Sequence, residues 1–194
     1  INLAWDVLTK ELNISEDRLY VTFFQGDEKD NLLIDNDTRD IWSKLILSDK
    51  IVPGSKEDNF WEMGKTGPCG PSTEIHIDLR PDLERKRVPT SSLINRDHPE
   101  VIEIWNIVFI SYNRTENNVL ESLPNTHVDT GMGFERLCMV LQNKTSTYDT
   151  DIFYNLIKQV ASISKFNYGD SVHTDIAIRV VVDHIRAIVF AISD

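Results

Sequence analysis

Along residues 101–113 apolar side chains alternate as they do on a strand. Ile102, Ile104, Asn106, Val108, Ile110 and Tyr112 fall on one face, and Trp105, Ile107 and Phe109 on the other. A run apolar on both faces fits a central strand. Asn106 breaks the pattern with an amide, and a buried amide without a partner costs about 1–3 kcal/mol. The same reading predicts strands near 18–24, 58–63, 73–79 and 123–129. In the third of these, Ile75 and Ile77 oppose Glu74, His76 and Asp78. Spacings of three and four predict helices over 1–13 (Leu3, Ala4, Val7, Leu8, Leu12) and over 134–141 (Phe134, Leu137, Cys138, Val140, Leu141). They predict another over 148–165, with Ile152, Phe153, Leu156, Val160 and Ile163 on one side. Asp37 suits the cap of a helix running to about 48, and Thr174 the cap of a final one. The class is therefore α+β: a partial antiparallel sheet flanked by helices, then the start of a helical domain.

Between the elements the chain is polar or rich in breakers. Pro53-Gly54 reads as a turn. Residues 64–72 hold Gly64, Gly67, Gly70, Pro68 and Pro71, which predicts a rigid loop of the kind that often carries function. Residues 80–99, with Arg85-Lys86-Arg87, read as a solvated insertion. Val128-Asp129-Thr130-Gly131-Met132-Gly133 reads as a glycine bend between strand and helix, where backbone can approach a ligand closely. Asp129 stands before the bend and Arg136 on the first turn after it. That anion and cation suit a substrate carrying both an ammonium and a phosphate, although each residue alone also fits a helix cap or a solvated surface. Asp175, Arg179, Asp183 and Arg186 mark a polar stripe on an otherwise apolar last helix, which needs partners on most of its surface.

Composition narrows the class. The 194 residues are 41% hydrophobic and 26% charged, as in globular domains. A net charge of −11 excludes general attraction to nucleic acid phosphates. Two distant cysteines, Cys69 and Cys138, point to a reducing, cytoplasmic setting. The apolar run 176–192 is broken by Arg179, Asp183, His184 and Arg186, so no membrane span is expected. His76 has no Cys or His at ligand spacing, and no protein-held metal is expected. Only Lys65 stands near Cys69 to activate it, which disfavours a nucleophilic thiol.

Four segments in order carry a family resemblance. They are Asp58-Asn59-Phe60-Trp61-Glu62-Met63-Gly64, Thr66-Gly67-Pro68-Cys69-Gly70-Pro71, the stretch from Trp105-Asn106-Ile107-Val108 to Val128-Asp129-Thr130-Gly131-Met132-Gly133-Phe134-Glu135-Arg136, and Tyr148-Asp149-Thr150-Asp151. Together they resemble the catalytic domain of the alanyl-tRNA synthetase family, with 131–136 similar to the third class II signature. The resemblance covers essentially the whole chain. It implies residues 1–165 as the C-terminal portion of a catalytic domain, and 166–194 as linker and first helix of a helical tRNA-recognition domain. It implies a ligase using alanine, ATP with Mg2+, and tRNA(Ala). By the same resemblance Asp129 holds the alanine ammonium, Asn106 contacts its amino or carboxylate end, and Trp61 and Val108 line the methyl pocket. Gly131 and Gly133 admit the adenosine, Arg136 binds the triphosphate, and Glu74 contacts ATP or its magnesium. Asp129 and Arg136 are thus the residues expected to act in catalysis. No segment resembles the first two class II signatures, and Ser72 stands where the family usually has cysteine. The chain is therefore expected to be an internal fragment, incompetent alone, with any zinc confined to an editing domain elsewhere. The competing expectation is a non-catalytic regulatory paralogue that keeps the fold.

Overall fold

The computed structural model describes residues 1–194. They form two compact units, Ile1–Phe134 and Glu135–Asp194. The first holds helices α1 (Asn2–Asp6), α2 (Asn36–Trp42), α3 (Lys56–Asn59) and α4 (Asp82–Arg87). Its strands are β1 (Leu19–Phe24), β2 (Ile51–Gly54), β3 (Phe60–Glu62), β4 (Gly67–Asp78), β5 (Val101–Arg114) and β6 (Leu120–Met132). They make one six-stranded sheet in the order β2-β1-β4-β5-β6, with β3 paired to β4. Every pairing is antiparallel except β1 with β2. The α+β expectation and the strands around it hold.

One face of this sheet is apolar core. Leu19, Val21, Ile75, Ile77 and Ile107 are all buried, and their registers place Val21 opposite Ile75 and Leu19 opposite Ile77. Trp42 from α2 is fully buried, donates to Thr73 Oγ1 at 2.8 Å, and meets Trp5 edge-on at 5.8 Å. The other face of β4 is polar and just as deeply buried. Ser72, Glu74, His76 and Asp78 lie there, each at most 6% exposed.

Several expectations change. The glycine-proline stretch does not form a loop throughout: residues from Gly67 onward belong to β4, where Cys69 pairs Tyr112 and Gly70 pairs Trp61. A Cβ on Gly70 would lie 2.0 Å from the Phe109 carbonyl oxygen, so this glycine is demanded by strand packing. Pro53 lies in β2, an edge strand, where a missing N–H does no harm. The strict alternation over 101–113 fails at bulges. The register slips between Ile75 and His76, and Ile102 ends opposite Ile77, on the core side. Asp35, rather than Asp37, caps α2 by accepting from Thr38 N at 3.0 Å, and the helix stops at Trp42. The first helix passes into a π-helical turn at Val7–Glu11.

Residues 81–89 are largely exposed, as expected of a solvated insertion, but the segment is anchored by buried residues. Arg80, 2% exposed, donates to Asp78 through Nε at 3.0 Å and Nη2 at 2.7 Å, and Thr90 Oγ1 donates to the same carboxylate at 2.6 Å. Ile94 is buried, and Leu79 N donates to Glu100 O. The segment is fastened to the sheet at both ends.

The second unit comprises the helix Phe134–Leu141 (α5), which begins at the division, then α6 (Asp151–Ser164) and α7 (Val172–Ser193). Phe153 and Ile157 of α6 pack on Ile178 and Val182 of α7. The final helix starts at Val172, two residues before the expected cap Thr174. Its polar stripe is spent locally: Arg179 donates to the Tyr168 hydroxyl at 2.6 Å, Asp175 accepts from Gly169 N at 2.7 Å, and Arg186 pairs with Glu135. No helix is long and apolar enough to cross a membrane.

The Asp78–Arg80 pair should be visible in acid. Burial pushes the Asp78 carboxyl up, but the hydrogen bonds from Arg80 and Thr90 together outweigh it and hold it below the usual range. A depressed pKa contributes stability present above the unfolded value of about 3.9 and lost as pH falls through the folded value. Asp78→Ala, which leaves Arg80 buried and unpaired, is expected to cost about 3–5 kcal/mol at neutral pH. Urea unfolding at descending pH should show less acid-side loss in the variant than in the parent.

Candidate active site

Three neighbouring strands bring most of the candidate residues into two rows. Glu74 on β4 pairs Asn106 on β5, and Asn106 pairs Gly131 on β6. One step along, Ser72 pairs Val108 and Val108 pairs Asp129. Directly opposed residues in a sheet share a face, so the two rows lie side by side on the polar face of β4. Residues 57 positions apart in sequence, Glu74 and Gly131, thus sit two strands apart.

The chemistry of the rows is asymmetric. Glu74 is 6% exposed, and its Oε2 accepts from Thr22 Oγ1 at 3.2 Å and Asn95 Nδ2 at 2.9 Å, with His76 Nε2 at 3.1 Å. Its Oε1 takes no bond from the chain. The Asn106 Oδ1 is buried and has no partner. A Cβ added to Gly131 would meet nothing within 4 Å, and its φ is not in the left-handed region. Neither packing nor backbone conformation calls for glycine there, and the space beside Asn106 stays open. Asp129 is exposed, and its Oδ1 accepts from Thr130 N at 2.9 Å. Val108 is buried at the centre of the second row. This face therefore presents acceptor oxygens from Glu74, Asn106 and Asp129 around a floor of valine and glycine. Such a set suits a cationic, hydrogen-donating ligand lying flat on the sheet.

The reverse face steadies the rows. Trp105 Nε1 donates to Thr130 Oγ1 at 2.6 Å, and Thr130 Oγ1 donates to the Asn106 carbonyl at 2.9 Å. Gly133 N donates to Ile104 O at 3.0 Å and closes β6 onto β5. Gly131 is thus a strand residue, and the expected glycine bend is shorter than the sequence suggests.

Other candidates belong to neither row. Trp61 is on β3, on the far side of β4, paired with Gly70 and about one-third exposed. Arg136 is exposed on the first turn of α5 and belongs to the second unit. Cys69 is fully buried, and burial pushes its thiol up, which suits packing rather than nucleophilic attack. No group of three or more His, Cys, Asp or Glu is placed to hold a metal. A cleft of about 680 Å³ opens elsewhere, lined by Asp30, Lys56, Glu62, Arg114 and Asn118 among others. Four of its charges pair with one another: Arg114 bonds Glu62 at 2.5 Å and Asp30 at 2.7 Å, besides Asn118 Oδ1 at 3.0 Å, and Lys56 pairs with Asp30. It is a clamp between loops. Sequence reasoning missed Thr22 and Asn95, whose bonds to Glu74 span 52 and 21 positions and leave no local signal.

The whole chain, residues 1–194, matches the family model described as tRNA synthetases class II (A). It is similar to the alanine–tRNA ligase of Christiangramia forsetii, 51% identical over 195 residues that cover 100% of this chain and 22% of that protein. The alanine–tRNA ligase of Cytophaga hutchinsonii is 54% identical over 191 residues, covering 98% and 22%. That of Flavobacterium psychrophilum is 52% identical over 203 residues, covering 100% and 23%. The chain thus spans under a quarter of the length of these relatives.

The orphaned amide gives a direct expectation. Asn106→Val removes an oxygen that bonds nothing and supplies a β-branched residue suited to a strand. Unfolding free energy should rise, or stay within about 1 kcal/mol of the parent. A urea titration checks this, and a loss of several kcal/mol would make Asn106 a structural residue.

Proposed function

Because this chain belongs to the class II tRNA synthetases (A), we propose that it is the part of an alanine–tRNA ligase where alanine and ATP lie side by side. The observation that carries this reading is the pair of adjacent rows, Glu74–Asn106–Gly131 and Ser72–Val108–Asp129, on one sheet face. The first step joins an alanine carboxylate oxygen to the α-phosphorus of ATP, and pyrophosphate leaves with the electrons of the broken P–O bond. A ribose hydroxyl at the 3′ end of tRNA(Ala) then takes the alanyl group as an ester, and AMP leaves with the electrons of the broken acyl–oxygen bond. For the protein this is work of placement and charge stabilisation.

Asp129 holds the alanine ammonium, because an enclosed ammonium needs a carboxylate. Asn106 offers its unpartnered oxygen to the same end of the substrate, and the amide can also meet the carboxylate. Val108 and Trp61 bound the methyl group. Gly131 and Gly133 let adenosine lie against backbone, and the open space at Gly131 supports that role. Arg136 binds the triphosphate, where a planar guanidinium matches phosphate oxygens. Glu74 serves the ATP side. The open Oε1 of Glu74 would hold a magnesium ion bound with ATP, as an oxygen ligand of the kind that ion takes. When bound, the ion offsets phosphate charge.

A net charge of −11 restricts tRNA contacts to local patches or to other parts of the protein. We place the protein in the cytoplasm. We assign residues 1–165 to the catalytic domain and 166–194 to the opening of the helical tRNA-recognition domain. That boundary runs between α6 and α7, which share a core.

In the full-length protein, pyrophosphate exchange into ATP should depend on alanine. Asp129→Ala should weaken binding of a non-hydrolysable alanyl-adenylate analogue roughly 10- to 100-fold, the worth of a charge-assisted hydrogen bond. Gly131→Val should fold normally and lose the analogue through steric filling. Calorimetric titration of both variants reads this, and wild-type affinity in both would overturn the assignment.

A further inference from the structure

The segment 80–99 has no role in the reading above, yet it reaches the candidate site through one side chain. Asn95 sits in the left-handed region at φ 55°, a conformation that asparagine tolerates better than most residues. From there its Nδ2 donates to Glu74 Oε2 at 2.9 Å. The base of the segment is locked by Asp78, Arg80 and Thr90, and Ile94 beside Asn95 is buried. Asn95 is therefore held where it is by the sheet it returns to.

Asn95 is one of three donors on the same oxygen. Thr22 Oγ1 comes from β1 and His76 Nε2 from β4 itself. With Oε2 as acceptor, Nε2 carries the ring proton. His76 Nδ1 is then buried without a partner, a cost that the Glu74 contact must offset. The three donors approach from three directions and fix the carboxyl group against rotation. Oε1 is left without a bond, one strand away from the orphaned Asn106 Oδ1. A buried carboxyl is an expensive way to fill a sheet, since an apolar residue of the same shape is often neutral or better for stability. Spending three donors on one oxygen and none on the other makes sense if the second is kept for a ligand.

We propose that Asn95, with His76 and Thr22, is a positioning residue that aims Glu74 Oε1 at the magnesium–ATP side of the site. The proposal rests on the assignment of Glu74 to ATP made above. Asn95→Gly removes the amide without straining the left-handed backbone, and Glu74→Gln keeps the shape while removing the carboxylate.

The test uses the full-length protein and calorimetric titration with MgATP and, separately, alanine. Asn95→Gly is expected to raise the MgATP dissociation constant about tenfold and to leave alanine affinity and unfolding temperature close to the parent's. In the Glu74→Gln background it should add nothing, because its target is already gone. His76→Gln, whose amide can still donate, should keep most of the affinity. An Asn95→Gly effect that persists in full in the Glu74→Gln background overturns the proposal, as does wild-type MgATP affinity in folded Asn95→Gly. A Glu74→Gln protein with unchanged MgATP affinity overturns the assignment of Glu74 itself. Failure of the parent protein to bind alanine would instead overturn the ligase reading.

Discussion

A polar row buried along the middle strand governs how the first unit is built. Ser72, Glu74, His76 and Asp78 project to one face of β4, and all four are nearly inaccessible. Buried polar groups must find partners or destabilise the fold. Here each partner comes from a different piece of chain. Thr22 arrives on β1, Asn95 and Thr90 on the segment after β4, and Arg80 two residues past Asp78. Asn59, fully buried at the end of α3, donates to Thr22 Oγ1 at 2.7 Å and to the Ser72 carbonyl at 3.0 Å. The polar row thus dictates where loops must return, while the apolar face of the same strand supplies the hydrophobic core.

This division explains which parts were legible in the sequence. Period-two alternation around Ile75 and Ile77, and around Ile107, depends only on local chain geometry, so the strands emerged nearly where they lie. Asn106 stood out because an amide inside an apolar run violates that pattern, and its oxygen is indeed without a partner. The anchors of residues 80–99 were missed because a polar side chain reads the same whether it meets water or a buried carboxylate. Arg80 looks solvated in sequence and is 2% exposed in the fold. The 64–72 stretch was misread for the opposite reason. Glycine and proline usually mark turns, but Gly70 is needed where the Phe109 carbonyl crosses close to β4. Bulges are invisible to periodicity, so Ile102 was put on the wrong face.

The two glycines separate structural from functional constraint better than any count of motifs. At Gly70 a side chain would collide with backbone, and the fold alone accounts for the residue. At Gly131 a side chain would meet nothing, and strand interiors ordinarily lose stability from glycine. A residue that weakens its own strand and fills no tight corner needs another reason. The adjacent Asn106 oxygen, buried and unbonded, has the same character, as does the unbonded oxygen of Glu74. All three occupy one cross-strand row.

Three departures from what stability alone would favour, aligned in a single row, are unlike the clamp around Arg114. There each nitrogen of a buried guanidinium has a partner, Nε in Glu62, Nη1 in Asn118 and Nη2 in Asp30. Both places concentrate charge, and the clamp encloses the more obvious cleft. Cleft volume and unsatisfied valence therefore single out different places. A site prepared for a ligand withholds bonds that folding could have made, and the row across β4, β5 and β6 holds two such oxygens, on Glu74 and Asn106.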